Sequence, residues 1–155
     1  MIKSVFLQPG QLHVSTCNTK IITILGTCVA VCLMDPIMKI GGMNHYMLPR
    51  WNGKSFNKLN YGNSAIQVLI DKMISKGAHK ESIVAAIFGG LDTHPSVFKI
   101  GQQNALVALE ILKASNIKIV SQNTGGEYGR KLNFDTFNQS ILVYSFKMNC
   151  FGKEN

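Results

Sequence analysis

Short apolar runs broken by polar or glycine-rich stretches dominate the chain. QLHVS and KIITIL alternate or run apolar with β-branched residues, and each predicts a short strand. CVAVCLM predicts a third strand, stopped by Asp35 and Pro36, and IGGMNHYML a fourth. SFNKLNYGN reads as a polar connection. From about residue 64 to 76 the pattern changes period. Ile66, Leu69, Ile70, Met73 and Ile74 recur at helical spacing, and Gly77 follows where a helix should stop. SIVAAIFGG predicts a buried strand closed by two glycines, and LDTHPSVFKIG a loop. A second helix is expected over about 102–115, with Ala105, Leu106, Leu109 and Leu112 on its apolar face. IKIVSQ predicts a strand, NTGGEYGR a glycine-rich loop, and KLNF with SILVYSF a closing hairpin. Strands outnumber helices and several are joined by short loops. The expected class is α+β: layered, sandwich-like β-sheets with two main helices packed outside, in a single domain over residues 1–155.

Composition narrows this picture. Apolar residues make up 46% of the 155 residues and charged ones 15%, a globular rather than disordered balance. No apolar run approaches the ~20 residues that cross a bilayer, so membrane insertion is not expected. The opening MIKSVFLQPGQLHV lacks a long apolar stretch and a small-residue cleavage site, which argues against export. A cytoplasmic location follows as the expectation, with the four cysteines as thiols. Cys32 and Cys150 read as small core or terminal residues. The net charge of +8 points to an acidic partner. Its basic residues are scattered, without the basic block or aromatic interleaving of a nucleic-acid surface.

The chemistry concentrates in LGTCVAVCLMD and GGMNHYMLP. If residues 28–34 and 39–45 form a hairpin around a loop from Asp35 to Met38, Met34 pairs with Lys39 and Cys28 falls opposite His45. Directly opposed residues have Cβ atoms roughly 4.5–5.5 Å apart, which lets an imidazole reach a thiol. Gly41-Gly42 is the weak point, because a bulge there would shift the register and turn the pair to opposite faces. An imidazole that takes the thiol proton, and holds it as a cation beside sulfur, generates the nucleophilic thiolate. Gly26 permits close backbone approach, and amides around Thr27 and Cys28 are candidates for holding an oxyanion. A metal site of Cys17, Cys28, Cys32 and His45 fits poorly. In one strand Cys28 and Cys32 stand about 13 Å apart at ~3.3 Å per residue, too far for tetrahedral zinc. On spacing alone, a cysteine in an apolar strand and a histidine on the next are also ordinary core residues.

LGTCVAVCLMDP, GGMNHYMLP, YGNSAIQVLIDKMISKGA, AAIFGG, IGQQN and NTGGEYGRKLNFD, in this order and spacing, resemble the chemoreceptor glutamine deamidase family, CheD. The resemblance spans about residues 10–145. It implies a Cys–His pair, matched by Cys28 and His45, and a third catalytic Thr upstream, for which Thr23 is the candidate by residue type. In one straight strand Thr23 would face away from Cys28, unless Gly26 bends the chain. Thr27 stands where the family commonly has Ser. Asn123 stands where an acidic residue is expected, and Gln103 where a basic one is common. The resemblance further implies hydrolysis of receptor glutamine side chains through a Cys thioester, with no metal or organic cofactor. The same thioester could form from a glutamyl methyl ester. The implied partners are the cytoplasmic domain of a methyl-accepting receptor and a CheC-type phosphatase. Two rival readings stand beside this one: an adaptor that binds a phosphatase or receptor without catalysis, and a cysteine peptidase or small-molecule amidase. His13 and His79 read as surface residues, His94 as a site-edge residue on its loop, and TGGEYGR as a glycine turn shaping the site wall.

Overall fold

A computed structural model of the chain describes residues 2–54, 56–93 and 99–148. Its layers follow from the apolar run after Cys28. This run forms β4 (Val29–Asp35), every residue of which is buried. Val29, Val31 and Leu33 point to a core shared with the helices, while Ala30, Cys32 and Met34 point to a second core between two sheets. A strand covered on both faces has no use for alternating polarity, which is why the run reads as continuous apolar sequence.

The central sheet also contains β2 (Leu12–Ser15), β5 (Ile40–Asn44), β6 (Val84–Gly89) and β7 (Lys118–Thr124), in the order β2-β5-β4-β6-β7. Helices α1 (Gly62–Ser75) and α2 (Ile100–Ala114) pack on one face of it through Ile66, Leu69, Ile70, Met73, Val107, Ala108 and Leu112. On the other face lies the sheet β1-β3-β8-β9, made of β1 (Lys3–Phe6), β3 (Thr19–Leu25), β8 (Tyr128–Asp135) and β9 (Ser140–Lys147). Ile21, Leu25, Leu132 and Phe134 fill the space between the sheets. The expected layered α+β class is the observed one, with both helices on the same side. No helix among the described residues is long and apolar enough to cross a membrane.

Several expectations need correction. β1, unread in the sequence, is a four-residue strand that pairs parallel with β3. The fourth expected strand ends at Asn44, before His45. Leu106 is 54% exposed, and the inward face of α2 instead includes Asn104, Val107, Ala108 and Leu112. His13 is half-buried rather than on the surface, whereas His79 is exposed. His94 and Cys150 lie outside the described residues. Gly41 and Gly42 carry no bulge: residues 40–43 pair continuously with β4. Their missing side chains serve packing, since a Cβ on Gly41 would stand 2.8 Å from Phe134 and one on Gly42 2.8 Å from Val14.

The hairpin register also differs. Asp35 pairs with Ile40 and Cys32 with Met43, so the turn is Pro36–Lys39. Asp35 Oδ1 accepts the amides of Ile37 and Met38 from the last strand position, and Lys39 adopts φ 57°. The bridge between Val29 and Tyr46 extends this register past β5. Ala30 rather than Cys28 therefore stands opposite His45. The difference is two residues, an even slip, and on a regular pleat an even slip leaves two residues on one face as diagonal neighbours. Such neighbours are about 7–8 Å apart.

Candidate active site

Gly26, Thr27 and Cys28 carry the chain from β3 in one sheet to β4 in the other. That crossover removes the objection to Thr23. Thr23 and Cys28 do not share a strand, and Thr23 is buried on the face of β3 that meets the central sheet. His45 leaves the end of β5 with its backbone fixed on both sides. Its N–H donates to Gln11 O (3.1 Å) and its carbonyl accepts from Gly10 N–H (2.8 Å). Its ring enters the space between the sheets, where it is 3% exposed.

There Nδ1 lies 2.7 Å from Thr23 Oγ1. The threonine hydroxyl has one proton, which it donates to Leu7 O at 2.9 Å. It therefore accepts from His45, so Nδ1 carries the ring proton and Nε2 is left with its lone pair. Nε2 is buried without a hydrogen-bond partner among the described residues. A base held in one tautomer by an oriented hydroxyl is the arrangement that supports proton abstraction.

The charge state differs from the expected thiolate–imidazolium pair. Burial pushes the His45 imidazole down to about 4 and raises the Cys28 thiol above its ordinary value. Both shifts favour neutral forms, a thiol at Cys28 and an uncharged imidazole at His45.

Cys28 is half-buried at the edge of a cleft of about 410 Å³, whose apolar walls include Met47, Leu48, Leu91 and Ile100. Its turn is held by three carbonyl bonds: Leu91 N–H to Gly26 O (3.0 Å), Asn104 Nδ2 to Thr27 O (3.0 Å) and Gly90 N–H to Cys28 O (2.9 Å). Close approach at the last of these requires Gly89, with φ +109°, because a Cβ there would collide with Cys28 O. Neither the Thr27 nor the Cys28 amide is spent on a backbone carbonyl among the described residues, and the Cys28 N–H lies against its own sulfur.

The glycine-rich loop is bonded to residues beside the cleft. Gly126 O accepts from the amide of Asp92, a cleft residue, and Gly125 N–H donates to Gly89 O. Where an acidic residue was expected, Asn123 Oδ1 accepts from Arg130 Nε at 2.9 Å, and the same guanidinium reaches Gly89 O and Gly125 O. Gln103 is exposed on α2. Sequence reasoning missed Asn104, a polar residue on the buried face of a helix; that mismatch was its only visible signal. Among the described residues, no cluster of His, Cys, Asp and Glu could hold a metal.

The two-sheet core with helices on one side, Cys28 on the crossover between the sheets and His45 buried against Thr23 define a layered α+β protein with a candidate cysteine–histidine site. The family model for CheD chemotactic sensory transduction matches residues 47–145, and the chain belongs to that family. A protein of Trichlorobacter lovleyi named probable chemoreceptor glutamine deamidase CheD is 40% identical over 145 residues, covering 92% of this chain and 90% of its own. Proteins of the same name from Sulfurimonas denitrificans (38% identical; 89% of this chain, 91% of theirs) and Agrobacterium fabrum (40%; 85% and 74%) are similar.

Proposed function

We propose that the chain hydrolyses glutamine side chains of chemotaxis receptors to glutamate, acting in the cytoplasm on the receptor's cytoplasmic domain. The observation that carries this reading is the Thr23–His45 hydrogen bond, which fixes the imidazole tautomer and leaves Nε2 with its lone pair. The names of the relatives supply the substrate class. The reaction runs by acyl transfer. His45 Nε2 takes the Cys28 proton as sulfur attacks the carboxamide carbon, and the amides of Thr27 and Cys28 receive the oxyanion. The imidazolium then protonates the departing ammonia, leaving a thioester. Water, deprotonated by the same Nε2, attacks the thioester; glutamate leaves and the thiol is restored. Thr23 keeps the imidazole in the required tautomer through each step. The net positive charge suits a receptor surface that becomes more acidic as the reaction proceeds.

Incubation with a receptor cytoplasmic fragment, followed by peptide mass mapping, tests this reading. Amide-to-acid conversion at glutamine side chains, with ammonia released and the backbone intact, is the expected result. Backbone fragments would instead identify a peptidase.

Thr23→Val keeps the shape of the side chain but lets the imidazole choose its tautomer. General-base catalysis is worth about 10²–10⁴ and here the base is loosened, not lost, so kcat is expected to fall by about 10–100-fold with KM nearly unchanged. Leu7 O and Nδ1–H lose their partner, so a stability loss of about 1–3 kcal/mol should appear in denaturant melts. A full-speed Thr23→Val enzyme would remove Thr23 from the mechanism.

A further inference from the structure

Asn104 is fully buried in α2, and both protons of its amide group are committed. One goes to the carbonyl of Thr27 (3.0 Å), in the turn that presents Cys28. The other goes to the carbonyl of Met47 (2.8 Å), two residues beyond His45. Its backbone carbonyl receives the Tyr46 hydroxyl at 2.6 Å. Its Oδ1 is buried without a partner among the described residues. Asparagine is a poor helix former, and an orphaned buried oxygen is costly. A residue that breaks both local rules is expected where function requires it.

The peptide between Thr27 and Cys28 is planar and trans, so its N–H points away from its C=O. By fixing Thr27 O toward α2, Asn104 directs Cys28 N–H away from the helix, on the outside of a turn where Thr27 is exposed. Leu91 does the same for the preceding peptide, whose N–H belongs to Thr27. Two successive amides, neither spent on a backbone carbonyl among the described residues, are thereby set in direction before any substrate arrives. Preorganisation of this kind is what makes an oxyanion site effective.

We propose that Asn104 is a positioning residue for acyl transfer: it aims the Cys28 amide at the developing oxyanion and ties the segment after His45 to the nucleophile turn. This rests on the function proposed above. Removing an oxyanion donor costs about 10²–10³ in kcat; here the donor is misdirected rather than lost, so Asn104→Ala is expected to lose about 10–100-fold, with KM within about twofold. Alkylation of Cys28 by iodoacetamide passes through no oxyanion, and its rate should stay within about twofold of the parent. Asn104→Leu preserves the side-chain volume in case the alanine variant fails to fold. It can donate to neither carbonyl, so it should show the same split between deamidation and alkylation. Tyr46→Phe removes a buried hydrogen bond from the same neighbourhood without touching the Thr27 peptide, and should lower the melting temperature while keeping kcat.

The proposal is overturned if kcat of the Asn104 variants stays near the parent value, if alkylation falls in parallel with kcat, or if Tyr46→Phe loses as much kcat. Deamidation persisting in Cys28→Ala would instead overturn the underlying functional reading.

Discussion

Cys28→Ala is expected to abolish receptor deamidation, with a loss of roughly 10⁴-fold or more in kcat, because no other thiol among the described residues lines the cleft. Cys17 is exposed in the loop before β3, and Cys32 is buried in the inter-sheet core, where desolvation holds it protonated. Neither can substitute. Cys28→Ser should be nearly as inactive. A serine hydroxyl needs a stronger base than an imidazole whose proton affinity burial has pushed down to about 4. Since Cys28 is only half-buried at the edge of the inter-sheet core, both variants should retain the parent's melting temperature closely. Peptide mass mapping of the receptor fragment gives the result. Glutamate appearing at parent rates with Cys28→Ala would end the assignment of the nucleophile.

How much of this site was legible before the structure depends on which interactions are local. The strands around Cys28 and His45 could be read because their apolar runs and the Asp35-Pro36 stop are properties of neighbouring residues. The register was displaced because Asp-Pro reads as the start of a turn. Asp35 in fact remains paired with Ile40 while its carboxylate caps the turn. An even displacement keeps a residue on the same face of a regular pleat, which an odd one would not. Thr23 could be named by type, but not placed, since its partner comes from the other sheet and the crossover at Gly26–Cys28 has no periodic signature. Asn104 was invisible for a related reason. Apolar periodicity assigned α2 a face through Leu106, whereas the buried face is chosen by what α2 must hold, including two carbonyls from segments more than fifty residues away in sequence. The direction of the charge shifts was likewise not local. Proximity alone suggests an ion pair, and burial of both groups between sheets reverses that.

That reversal makes His45→Gln the most informative second variant. Losing a general base costs about 10²–10⁴ in rate, and kcat is expected to drop within that range. Alkylation of Cys28 should behave differently. In a preformed ion pair the thiolate persists through mildly acid pH, and removing the histidine would depress labelling strongly. With a neutral pair, parent labelling by iodoacetamide should keep rising through neutral and alkaline pH without an acid plateau, and His45→Gln should change it little. Stability provides an independent reading of the same group. The unfolded imidazole titrates near 6.5 and the buried one at about 4. Between those values the unfolded chain binds more protons, so the stability present above pH 6.5 is lost as pH falls toward 4. The difference corresponds to about 3 kcal/mol. Glutamine carries no titrating proton, so denaturant melts of His45→Gln at pH 7 and pH 4.5 should differ by less than those of the parent. An acid plateau in parent labelling, together with a large loss of labelling in His45→Gln, would show that the thiolate is stored before substrate binds, and the proton transfer assigned to the attack step would have to be moved ahead of it.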